Sequence, residues 1–99
     1  MHFSPVRHVR AFYFGRVTLE TRVALIGIVV EDMQSVEQLN ALLHNYSKYI
    51  IGRMGVPYEK KKVSVISVAM DAPNDVISAL SGKLGMLSGV QTKTVYAKV

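Results

Sequence analysis

Residues 62–99 read KVSVISVAM, DAPNDVISALSGKLGMLSGV and QTKTVYAKV in succession, and this stretch decides the fold. In the first piece Ile66, Val68 and Met70 alternate with the lighter Val63, Val65, Ser67 and Ala69. Alternation of that kind predicts a strand whose bulky face meets helices and whose lighter face lines the open side of a sheet. The second piece changes period: Val76, Ile77, Leu80 and Leu84 recur at helical spacing. The helix is expected to begin at DAPND, where Asp71 or Asn74 can cap and Pro73 suits a first turn because its missing N–H would be unpaired there. Gly85 suits the left-handed residue that ends a helix, and Ser88 and Gly89 turn the chain into a last strand, Val90 to Val99. Gly82 lies inside the helix, where glycine costs about 1 kcal/mol relative to alanine, so another helix or a bound group is expected to pass close to it.

The same order of elements holds upstream. Arg22 to Val30, RVALIGIVV, is an unbroken apolar run rich in β-branched residues, which predicts a central strand covered on both faces. Gly27 in its middle marks the close approach of another backbone or of a ligand. Asp32 and Ser35 start a helix, Ser35 and Gln38 being spaced as a capping box, and Val36, Leu39, Leu43 and Tyr46, widened by Leu42, form its buried stripe. Lys48 to Val56, KYIIGRMGV, alternates as a strand with Ile50, Met54 and Val56 on one face and Tyr49, Ile51 and Arg53 on the other. Pro57 is expected to stop it, and PYEKKK reads as a solvated hairpin tip.

The order is therefore β, α, β, β, α, β over residues 21–99, an α+β, ferredoxin-like arrangement. Right-handed crossovers place both helices on one face of a four-stranded antiparallel sheet and its first and third strands in the middle. The opposite face would present Leu25, Val29, Val63 and Val65, so a homodimer or a dimer of dimers is expected. Residues 1–20, MHFSPVRHVRAFYFGRVTLE, differ in texture, being aromatic and basic with Glu20 as their lone acid. They read as an added edge strand, a basic arm or a translated leader ahead of Val17. A weakly structured appendage, docked through Phe12, Tyr13 and Phe14, is the expectation.

Composition removes several classes of function. There is no cysteine, hence no disulfide, no thiolate chemistry and no cysteine-built metal site. Apolar residues make up 49% and charged ones 19%, more apolar surface than a chain of 99 residues easily hides. The net charge of +5 is spread out and partly sits on the tail, so a solvated surface is the plainer reading and nucleic acid is not an expected partner without a second protein. No apolar run reaches the 18 residues or so that span a bilayer, and Ala11 to Phe14 is too short for a signal-peptide core, which makes cytoplasm the expectation. No metal and no cofactor are expected.

An enzyme is not expected either. His44 stands alone in the body of the chain, and Glu31 and Asp32 sit at a helix start, where carboxylates serve the helix dipole. Metallochaperones of this shape need paired cysteines, and RNA-recognition modules need aromatics on central strands that here contain none. An acylphosphatase-like enzyme would need a glycine-rich phosphate cradle where this chain reads EDMQS.

The stretches RVALIGIVVED, YIIGRMGVPY, APNDVISALSGKLGMLSGV and TKTVYAKV closely resemble the small family of iron-only hydrogenase system regulators. The resemblance covers Glu20 to Val99, and NDVISALSGKLG is its most specific run. The family in turn resembles ACT domains and the C-terminal ligand-binding domain of nickel-responsive regulators, which implies an oligomeric regulatory module with ligands or partners at subunit interfaces. Asp32 matches the aspartate that amino-acid-binding ACT domains carry in this turn, but their glycine is missing. His44 alone does not reproduce a nickel site. On the resemblance, the first reading is a sensor of a small anionic ligand, using Gly27, Asp32, Gly82 and an Arg53 that projects onto the open sheet face near Tyr49. The second is a ligand-free oligomeric adaptor for hydrogenase maturation or transcription partners, docking through Ser81, Gly82 and Lys83. Asn74 completes the candidate set.

Overall fold

The computed structural model describes residues 10–14 and 17–97, with side chains from residue 20 onward. Its strands are β1 (Arg10–Phe14), β2 (Val17–Val30), β3 (Ile50–Tyr58), β4 (Val63–Ala72) and β5 (Val90–Tyr96), and its helices are α1 (Val36–Asn45) and α2 (Asn74–Gly85). Short 3-10 turns, Met33–Ser35 and Ser47–Tyr49, flank α1. The sheet runs β5-β2-β4-β3, antiparallel throughout, with β2 and β4 in the middle. This is the expected ferredoxin-like order. β1 is added to it, pairing antiparallel with the start of β2 from Arg10 opposite Thr21 to Phe14 opposite Val17. The first central strand thus begins at Val17 and not at Arg22, and part of the expected appendage is a hairpin. Pairing with β1 extends β2, and the β-branched Thr21 suits the pleat. Residues 1–9 lie outside the described residues.

Alternation sorts the two faces of the central strands β2 and β4 as the sequence predicts. Ile26, Ile28, Val68 and Met70 are fully buried beneath the helices. Leu39 and Leu43 of α1 and Ile77, Leu80 and Leu84 of α2 close the same core, which is one contiguous cluster. Each fully buried aliphatic side chain contributes about 1.5–3 kcal/mol relative to exposure.

Element ends depart from the sequence reading where tertiary contacts decide. Asp32 caps the 3-10 turn, accepting from the Gln34 N–H at 3.0 Å. Ser35 occupies the N-cap position of α1 but makes no capping bond. Its hydroxyl instead donates to the Ser88 carbonyl at 2.6 Å, tying the start of α1 to the loop before β5, so the capping box is not formed. Ser35→Ala is therefore expected to lower the unfolding free energy by about 1 kcal/mol in urea titration, while Gln38→Ala leaves it unchanged. Neither Asp71 nor Asn74 caps α2: Asp71 is buried within β4, Pro73 takes the N-cap position, and Asn74 is the first helical residue.

Gly85 is the last helical residue and not left-handed. The left-handed glycine is Gly89, with φ +65°. Pro57 does not stop β3 but sits inside it, opposite Ser64. β3 is a sheet edge, where a residue lacking an N–H is tolerated if that side faces solvent.

Candidate functional site

The four-stranded sheet leaves one face bare. On it Leu25 of β2 lies between Ala69 and Val95, and Val29 lies between Val65 and Gln91. Met54, Val56 and Tyr58 of β3 continue the face opposite Ser67, Val65 and Val63. Leu25 is 46% exposed and Met54 66%, and Val56, Val65 and Val95 are similarly open. Aliphatic residues of this kind belong in a core, yet within one chain nothing covers them among the described residues. Gly27 lies mid-face between Ser67 and Lys93. A Cβ there would meet nothing nearer than the Lys93 carbonyl at 3.8 Å, so the expected close approach is absent within the chain. Gly27 borders a shallow depression of about 540 Å³, together with Val29, Val65, Gln91 and Lys93 among others.

Arg53 is not on this face. A bulge between Ile50 and Gly52 adds one residue to β3 and reverses the expected alternation beyond it, so that Arg53 pairs with Val68 and Gly55 with Ile66 on the helix-facing side. Ile50 likewise faces the helices, opposite Met70, while Met54 and Val56 go to the open face. The Arg53 guanidinium donates from Nη2 to Asn40 Oδ1 of α1 at 3.1 Å. Between α1 and β3 this leaves a hollow of about 340 Å³ lined by Asn40, Leu43, His44, Ser47, Ile50 and Arg53. Tyr49 does not line it. Its ring lies 6.5 Å from that of Tyr46, with Lys48 Nζ 5.1 Å from its centroid.

The remaining candidates are dispersed. Asp32 borders a polar depression with Gln34, Glu37 and Gln38 at the start of α1. Ser81 is engaged within the chain, its hydroxyl accepting from Thr94 Oγ1 at 3.0 Å. Lys83 reaches across to α1, donating to the Tyr46 hydroxyl at 3.0 Å. Gly82 is exposed, with nothing among the described residues within 4 Å of the position its Cβ would take, so no described element accounts for that glycine. Asn74 is exposed at the start of α2. Gly27, Asp32 and Arg53 thus border three separate depressions.

Asn40 and Ser47 escaped the sequence reading. The signal available was the i, i+4 spacing of Asn40 and His44, which puts both on one face of α1. No group of three or more His, Cys, Asp or Glu side chains among the described residues could hold a metal ion, and no described helix is long and apolar enough to cross a membrane.

Residues 22–94 match the family described as TM1266-like, iron-only hydrogenase system regulator. The chain belongs to this family. The TM1266-like span holds the open face except Val95, the Arg53 hollow and Gly89, and leaves β1 and the start of β2 outside. Among solved structures, that of uncharacterized protein TM1266 from Thermotoga maritima is 42% identical, with a TM-score of 0.75, covering 78% of this chain and 98% of that one. A formyltetrahydrofolate deformylase from Pseudomonas putida KT2440 is 11% identical with a TM-score of 0.54, covering 74% of this chain and 28% of that one, a likeness of fold alone. No curated protein matches the sequence. The TM1266-like family's description is that of a regulator.

Proposed function

We propose that the chain acts as a homo-oligomeric regulatory module of the iron-only hydrogenase system, its copies meeting through the open sheet face, and that it senses a small anionic ligand. The observation that carries this reading is the bare face itself, with Leu25, Val56, Val65 and Val95 about half exposed on adjacent strands. Burying ~400 Å² of such surface is worth roughly 10 kcal/mol before association costs are subtracted. A second copy suits the face because its charge lies toward one side: Gln91 and the exposed Lys93 stand on β5, an edge strand. Two-fold contact centred on β2 and β4 would leave both lysines at a wet rim and join aliphatic surfaces in the middle.

A second reading, a ligand-free adaptor that docks hydrogenase-system proteins, is favoured by Gly82, whose surroundings among the described residues are open space. Native mass spectrometry of protein purified without oxygen separates the two. An oligomer carrying a reproducible small added mass supports the sensor. A bare oligomer favours the adaptor.

A further inference from the structure

The hollow between α1 and β3 has the make-up of a ligand site. Two of its lining residues are aliphatic, Leu43, which is almost fully buried, and the partly buried Ile50. Its lining also includes Asn40, His44, Ser47 and Arg53, and no carboxylate residue. The acid of the preceding turn of α1, Glu37, borders a different depression. The positive charge of Arg53 is thus unopposed by any acid of the lining.

Two features arm that charge for something outside the chain. The Ile50/Gly52 bulge delivers Arg53 to the helix side of an edge strand, and the next residue on that side, Gly55, has no side chain to cover it. Asn40 then fixes the guanidinium through Nη2 with a neutral carbonyl. An aspartate at that position would hold the arginine as well but would neutralise it. A neutral tether orients the planar fork and leaves its remaining donors for an anion.

We propose that this hollow binds a small organic carboxylate with a short aliphatic body, the carboxylate on Arg53 and the polar lining residues and the body over Leu43 and Ile50. Its volume of about 340 Å³ matches the lower end of small-molecule sites. The proposal deepens the sensor reading and rests on it for biological sense. It does not rest on self-association, because all six lining residues belong to one chain.

The test is a titration of the full-length ¹⁵N-labelled protein with isovalerate, and separately with inorganic phosphate, at fixed pH and ionic strength. Saturable shifts of the Asn40, His44 and Ser47 amides with isovalerate are expected. Arg53→Gln should weaken binding about tenfold or more, as loss of a charge-assisted hydrogen bond implies. Asn40→Asp should do the same, by giving the guanidinium an internal counter-ion. Both positions are exposed, and a spectrum otherwise superimposable on the parent shows that the fold is kept. Undiminished binding by Arg53→Gln, no saturable shift with isovalerate, or a response to phosphate with none to isovalerate overturns the proposal. The mass of the same samples reports self-association independently, so a binding monomer would sink the oligomer reading and spare the site.

Discussion

Gly89→Ala is expected to lose about 3–5 kcal/mol of folding free energy, measured by urea denaturation. The left-handed backbone of Gly89, φ +65°, costs an alanine about 1–2 kcal/mol. The larger part is contact. An added Cβ would lie 2.6 Å from Asp32 Cβ and 2.8 Å from the Asp32 backbone nitrogen. Distances so short force the β2–α1 connection away from the α2–β5 loop. That separation strains the Glu31 N–H bond to the Gly89 carbonyl, 2.7 Å, and the Ser35 hydroxyl bond to the Ser88 carbonyl. Gly89→Asn separates the two causes. Asparagine tolerates the left-handed region but carries the same Cβ, so a loss nearly as large is expected, whereas recovery to within a few tenths of a kcal/mol would place the cost in backbone strain alone.

Ile26→Ala is expected to destabilise by about 2–5 kcal/mol, while Leu25→Ala one residue earlier changes the stability of the folded monomer by less than about 1 kcal/mol. Ile26 is 0% exposed and sits centrally in β2, between Val68 and Thr94 and beneath the helices, so truncation leaves a cavity that the sheet backbone cannot close. Leu25 points to the bare face. Its truncation should register in self-association instead. Thermal or denaturant unfolding under dilute conditions gives the first difference, and the concentration dependence of the midpoint gives the second. Equal losses for both residues would mean that the two faces of β2 are wrongly assigned.

Much of this architecture was legible because local pattern and tertiary environment agree. RVALIGIVV and VSVISVAM name the two central strands, and the alternation in the latter names which side meets the helices. Of the predicted stripes, Leu39 and Leu43 of α1 and Ile77, Leu80 and Leu84 of α2 are buried, while Val36, Leu42, Tyr46 and Val76 are partly buried against them. Local pattern failed where a distant residue decides. The face of Arg53 depends on a bulge beside Gly52, and a glycine inside a strand was the available hint. Ser35 and Gly89 act through the contact between the β2–α1 connection and the α2–β5 loop, which only the closed sheet creates. Gly82 looked informative because it interrupts a helix and Gly85 because it suits a helix end, yet it is Gly89 that takes the left-handed backbone. Asn40 beside Arg53 joins a helix to a strand edge, a pairing that spacing along the chain does not reveal.

The open face is the centre of the functional account, and sedimentation equilibrium of the intact protein beside Val65→Lys tests it most directly. Val65 lies mid-face on a central strand, opposite Val29 and Val56 and open enough for a lysine to reach water in the monomer. In a buried interface the same lysine would carry an unpaired charge. The intact chain is expected at a multiple of 11.0 kDa at micromolar concentration, and Val65→Lys at the monomer mass with its fold unchanged. An intact protein that sediments as a monomer, or a Val65→Lys protein that associates as strongly as the parent, would contradict the account.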